Sequence, residues 1–173
     1  MTISYPPDNV IISDSTVLIN FIESGQFKIL LEVYQGGIHI TTAVNGEVRY
    51  NRGELEAAIN AGEIHVHDVP LEQVEHLCRS FSKFNLGEAS CLELARENHW
   101  CVATDDGAAK GHIKTILGSV YVITTFDIVL RAVRMGFVSK KSASDVIKSM
   151  EDKANFLFSE ATYREFLSNL RNS

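Results

Sequence analysis

Residues 10–20 read VIISDSTVLIN, a short run rich in β-branched residues, then a carboxylate between two serines, then apolar residues spaced for one face of a helix. A run of four with no polar alternation suits a strand covered on both faces, as strands of parallel sheets are. The segment 15–23 that follows predicts a helix. Residues 10–23 are thus a strand–turn–helix with Asp14 at the strand's carboxyl end. In an open parallel sheet the functional crevice lies outside those ends.

Three further runs of the same kind lie at 38–41 (IHIT), 100–104 (WCVAT) and 120–124 (VYVIT). Stretches 15–23, 26–34 and, later, 42–51, 54–61, 71–82 and 88–98 carry helical patterns between the first three. Segment 63–69 (EIHVHDV) alternates by two and predicts an edge strand. Beyond the last run, 126–135 places Phe126, Val129, Leu130 and Val133 on one helical face, and 141–153 and 160–170 predict two more helices. Ser159 and Thr162 give the last one N-cap chemistry. Alternating strand and helix predicts an α/β fold, a three-layer α/β/α arrangement around a central parallel sheet. One domain is expected over 1–173, with its core at about 9–139 and appended helices at about 140–171.

The 173 residues are 45% apolar and 22% charged, a composition that can bury a core and excludes disordered and fibrous classes. Lys and Arg total 16 against 22 Asp and Glu, for a net charge of −6. That excludes a protein that grips nucleic acid through net positive charge, and leaves room for a local patch. Cys78, Cys91 and Cys101 form no Cys-x-x-Cys pair. A reducing, cytoplasmic setting is expected, with no membrane partner, since no apolar run approaches the roughly 18 residues of a span.

The residues that follow the apolar runs are acidic. Asp14 ends the first, Glu47 lies six residues after Thr41, and Asp105 and Asp106 end the third. Glu88 begins the helix before that third strand. Singly, each acid fits a helix cap, a dipole contact or solvated surface. Jointly they place carboxylates from several elements in one crevice, where they repel unless a cation sits among them. Hard oxygen donors with few nitrogens or thiolates select Mg²⁺ or Mn²⁺ over zinc, and those ions act chiefly on phosphates.

Asp14-Ser15-Thr16 with Val17-Leu18-Ile19-Asn20, then Glu47, then Gly87-Glu88-Ala89, then Thr104-Asp105-Asp106, resembles the PIN-domain ribonucleases over roughly residues 9–139. Within that family the chain looks like the VapC-like toxins. The resemblance implies a Mg²⁺- or Mn²⁺-dependent endoribonuclease with an RNA substrate, a small antitoxin partner and a possible homodimer. It also implies that Asp14, Glu47, Glu88 and either Asp105 or Asp106 are catalytic metal ligands. Thr16 and Thr104 are the supporting hydroxyls, and Arg49, Arg52 and Lys110 are candidates for substrate phosphate. The alternative is a PIN-like module that has lost catalysis and acts by binding protein.

Two other patterns compete. His65-x-His67 could hold zinc or iron from one face of the edge strand, although no second Cys or His cluster accompanies it. Arg131, Arg134, Lys140 and Lys141 form the densest basic stretch, either a track for RNA backbone or cations at a helix carboxyl end.

Overall fold

The computed structural model describes residues 8–173 apart from 13, 71, 73, 76–78 and 80–85. Strand β1 is Val10–Ile12, and helices α1 (Ser15–Glu23) and α2 (Phe27–Val33) follow it. Next come β2 (Ile38–Thr41), α3 (Thr42–Glu47), α4 (Arg52–Asn60) and β3 (Ile64–His67). The second half holds α5 (Leu86–Asn98), β4 (Cys101–Ala103), α6 (Gly107–Leu117), β5 (Val122–Ile123), α7 (Thr125–Arg134), α8 (Lys140–Ala154) and α9 (Glu160–Arg171). The helix expected over 71–82, Ser13 and Cys78 fall wholly or largely outside the described residues.

The five strands form one all-parallel sheet in the order β3-β2-β1-β4-β5, giving the expected three-layer α/β/α fold. Ile11 stands beside His39 on one side and Val102 on the other. Every residue of β1 and β4 is buried, which is why their sequences show no alternation. The chain leaves β1 toward β2 on one side and later returns to β4 on the other. The crevice that this reversal opens lies at the carboxyl ends of β1 and β4. Segment 63–69 contributes β3, an edge strand as expected.

Local chemistry sets the boundaries. The helix expected over 42–51 stops at Glu47 because Val48 is extended and Asn51 is left-handed, and α4 starts afresh at Arg52. The strand expected over 120–124 forms its ladder only at Val122 and Ile123. Gly118, at φ 96°, first turns the chain into a short 3₁₀ turn over Ser119–Tyr121. Helix α6 has no counterpart among the sequence expectations: two glycines weaken its pattern, and Asp106 starts it by accepting from the Ala109 N–H at 2.7 Å.

One layer joins α1, α2, α7 and α8, with α9 packed on α7 and α8. Helix α7 buries Phe126, Ile128, Val129 and Leu130, and its start is closed by a reciprocal cap between Thr124 and Asp127. Phe126 meets Phe158 edge-on at 5.1 Å and Phe166 at the same separation, so the C-terminal helices share the core of the sheet. Among the described residues, no helix is long and apolar enough to cross a membrane.

Candidate active site

Asp14 caps α1 from the end of β1: its Oδ1 accepts the Thr16 N–H at 2.9 Å. That bond fixes the carboxylate at the strand end. Thr41 caps α3, which carries Glu47 at its last residue. Glu88 lies in the first turn of α5, where the helix dipole favours its charge. Thr104, buried at the end of β4, accepts the Asp106 N–H at 3.2 Å, and Asp106 in turn caps α6.

These elements converge on one cleft of about 360 Å³, lined by Asp14, Glu47, Glu88, Asp106, Thr16 and Thr104. Beneath it Cys91 is fully buried, its thiol pushed up to about 12 by burial first and by the charges of Glu88 and Glu47 as well. The thiol donates to Ile12 O and Thr41 Oγ1, in the packing of α5 against β1 and β2. A larger hollow of about 700 Å³, bordered by Tyr34, Asp127, Arg131 and Arg134, contains none of the four cleft acids.

The tandem aspartates separate. Asp106 lines the cleft, whereas Asp105 turns inward. Its Oδ1 accepts the Thr125 N–H at 2.9 Å, and its Oδ2 accepts the Thr125 hydroxyl at 2.6 Å and the Asn20 amide at 3.3 Å. The Thr125 N–H belongs to the first turn of α7 and has no partner within that helix, so Asp105 ties the β4–α6 turn to two other helices. Burial pushes its carboxyl above the ordinary carboxylate range, as does the Asp14 charge, against the Thr125 bonds and the Lys110 cation. Sequence reasoning missed the Asn20 and Thr125 partnership, which is spread over the chain and leaves no local signal.

The basic candidates also divide. Arg52 has its guanidinium on the carbonyls of Asn45 and Val48 at 2.7 and 2.8 Å, and on Glu56. Arg49 is exposed two residues past Glu47, and Lys110 is half-buried on α6. In the other basic stretch, Arg131 pairs with Asp8 at 2.7 Å and lies over the Tyr34 ring.

His65 and His67 are joined by His39, which the β2–β3 register places beside His65. His39 Nδ1 and His67 Nε2 are 2.9 Å apart, His39 Nε2 faces Asn9 Oδ1 at 3.2 Å, and Trp100 stacks on His39 at 3.7 Å. Burial, then the two neighbouring imidazoles, lowers the His39 pKa to about 4. These rings are engaged with one another and with Trp100. Among the described residues no three His, Cys, Asp or Glu side chains are placed to hold one metal ion, here or in the cleft.

The donor set of the cleft still matches a hard cation, because all four of its ionisable groups are carboxylates. Mg²⁺ in particular keeps several of its waters and needs only one or two direct carboxylates.

A parallel α/β sheet with carboxylates collected at its switch point defines an α/β protein with an acidic, cation-compatible cleft. The family model DUF3368, described as PIN domain, matches residues 10–172, and the chain belongs to this PIN-domain family. PIN domains are in general nucleases that use divalent metals. No curated protein and no solved structure matches the chain.

Proposed function

We propose that the protein is a Mg²⁺- or Mn²⁺-dependent endoribonuclease, acting as the toxin of a toxin–antitoxin pair. The observation that carries the reading is the convergence of Asp14, Glu47, Glu88 and Asp106 on one cleft at the carboxyl ends of β1 and β4. One or two of those acids would hold the cation directly and the others through its waters, and the cation, when bound, polarises a phosphoryl oxygen and supplies an activated water. The chain's own contribution is orientation. The Thr16 N–H locks Asp14, and the Ala109 N–H with the Thr104 hydroxyl locks Asp106 and its turn. Arg49, exposed two residues past Glu47, would take a substrate phosphate outside the acidic centre.

Purified protein is expected to cut RNA in Mn²⁺ or Mg²⁺ and to stop when a chelator is added, with Asp14→Asn inactive. Expression is expected to arrest growth, and Asp14→Asn to relieve the arrest. No RNA cleavage with either ion, together with no divalent-ion binding at millimolar concentration by calorimetry, would overturn the proposal in favour of a silent binding module. Cleavage of DNA but not RNA in a substrate panel would overturn the ribonuclease assignment alone.

A further inference from the structure

The linker between α3 and α4, residues 48–51, has a fixed shape. Val48 is buried in the core, and Arg52 closes the loop from behind by donating to the carbonyls of Asn45 and Val48 and to Asn45 Oδ1. Asn51 takes a left-handed conformation, at φ 52°, to start α4. The one large aromatic of this anchored loop, Tyr50, is 75% exposed. It stands three residues past Glu47, so its Cα lies within about 11 Å of that cleft residue's Cα, at 3.8 Å per peptide. Arg49, also exposed, lies between them.

Charge makes such a ring useful. The chain carries −6 overall and its cleft is lined by four acids, so long-range attraction supplies little affinity for a polyanion. Stacking on an aromatic face is indifferent to that field and accepts any base. It also needs an unpaired base, because the bases of a duplex are already stacked on one another.

We infer that Tyr50 is a substrate-binding residue, a stacking platform for a base of single-stranded RNA one or two nucleotides from the phosphate in the acidic cleft, with Arg49 on the intervening backbone. The inference rests on the nuclease reading and adds to it a residue that would hold the substrate beside the cleft. The larger π face of a purine makes adenine the better occupant than uracil.

The test is binding of a short fluorescein-labelled oligoadenylate, followed by anisotropy in Mg²⁺, with Asp14→Asn as the background so that the RNA stays intact. Adding Tyr50→Ala is expected to raise Kd about 5- to 150-fold, the effect of losing one stacked base, while Tyr50→Phe keeps Kd within about twofold. Arg49→Ala is expected to weaken binding and reduce the salt slope by about one, and Tyr50→Ala to leave the slope unchanged. A 2-aminopurine placed in the strand is expected to be more strongly quenched in the complex with Tyr50 than in the complex with the Tyr50→Ala variant. An unchanged Kd for Tyr50→Ala overturns the inference, as does a Tyr50→Phe variant as weak as the alanine. Unchanged RNA affinity together with loss of inhibition by a co-expressed antitoxin reassigns the ring to protein contact. If the nuclease reading alone fails, wild-type protein binds RNA through Tyr50 without cutting it. If the stacking inference alone fails, Tyr50→Ala cuts RNA with wild-type KM and kcat.

Discussion

Alanine at position 105 and alanine at position 106 are expected to have opposite rankings in stability and in activity. Asp105→Ala strips the acceptor from the Thr125 N–H at 2.9 Å, the Thr125 hydroxyl at 2.6 Å and the Asn20 amide at 3.3 Å. Thr125 and Asn20 are both buried, so water does not readily replace the lost carboxylate. Hydrogen bonds to a charged group contribute roughly 1.5–3 kcal/mol each. Counting the two short ones, and offsetting them by the cost of keeping a carboxylate desolvated, leaves a net loss of about 3 kcal/mol. Asp106→Ala removes one helix cap on an exposed residue, at about 1 kcal/mol. For a domain of this size those losses correspond to Tm decreases of roughly 6–12 °C and 2–4 °C. Calorimetric or urea unfolding measures the ranking. Cleavage of RNA measures the other half: Asp106→Asn is expected to abolish it, whereas Asp105→Asn, which keeps an acceptor for the Thr125 N–H, loses about 10- to 100-fold. The reasoning is refuted if Asp106→Ala is the more destabilising of the two alanines.

Acid is expected to weaken the fold through His39. An unfolded histidine takes up its proton near 6.5 and this one near 4, so between those values the unfolded chain binds more protons and stability is lost as pH falls. The loss amounts to about 2–3 kcal/mol. It should be absent from the difference in unfolding free energy between pH 7 and pH 4 in His39→Phe, and an identical pH slope in both proteins would count against it. Cys91 and Cys101, each with a thiol pushed up to about 12 by burial, should resist alkylation at pH 8 until denaturant is added, as peptide mass mapping will show. Two glycine substitutions should differ in sign. A Cβ at Gly37 would lie 2.7 Å from the backbone oxygen of Asp8, so Gly37→Ala costs about 1–3 kcal/mol in thermal melting. Gly53→Ala, in α4 with nothing within 4 Å, should gain about 0.4–1 kcal/mol.

The fold was legible where strands are buried on both faces. VII in β1 and IHIT in β2 announce themselves by β-branched content in short runs buried at every position, and each leads into a capping residue, Asp14 or Thr41, that starts the next element. The same logic pointed to Asp14 and the tandem aspartates as candidates, because a residue that closes a parallel strand is already at the mouth of the sheet. It could not choose between Asp105 and Asp106. That choice depends on Thr125, 20 residues away, and on Asn20, 85 residues away. His39 likewise became the third imidazole only through the β2–β3 register, which places it beside His65. Helix α6 escaped notice because what begins it is the cap at Asp106, and the spacing of its apolar residues is diluted by Gly107 and Gly111.

The central position of β1 also bears on synthesis. Asp14 and Glu47 leave the ribosome before Glu88 and Asp106, and the strand that precedes Asp14 has β4, from the later part of the chain, as one of its two neighbours. A growing chain therefore holds half of the acidic cleft and a β1 paired on one side only, and the set of four carboxylates closes only when β4 docks. Order of synthesis thus sets order of assembly: the cleft is the last part of the sheet's mouth to be completed.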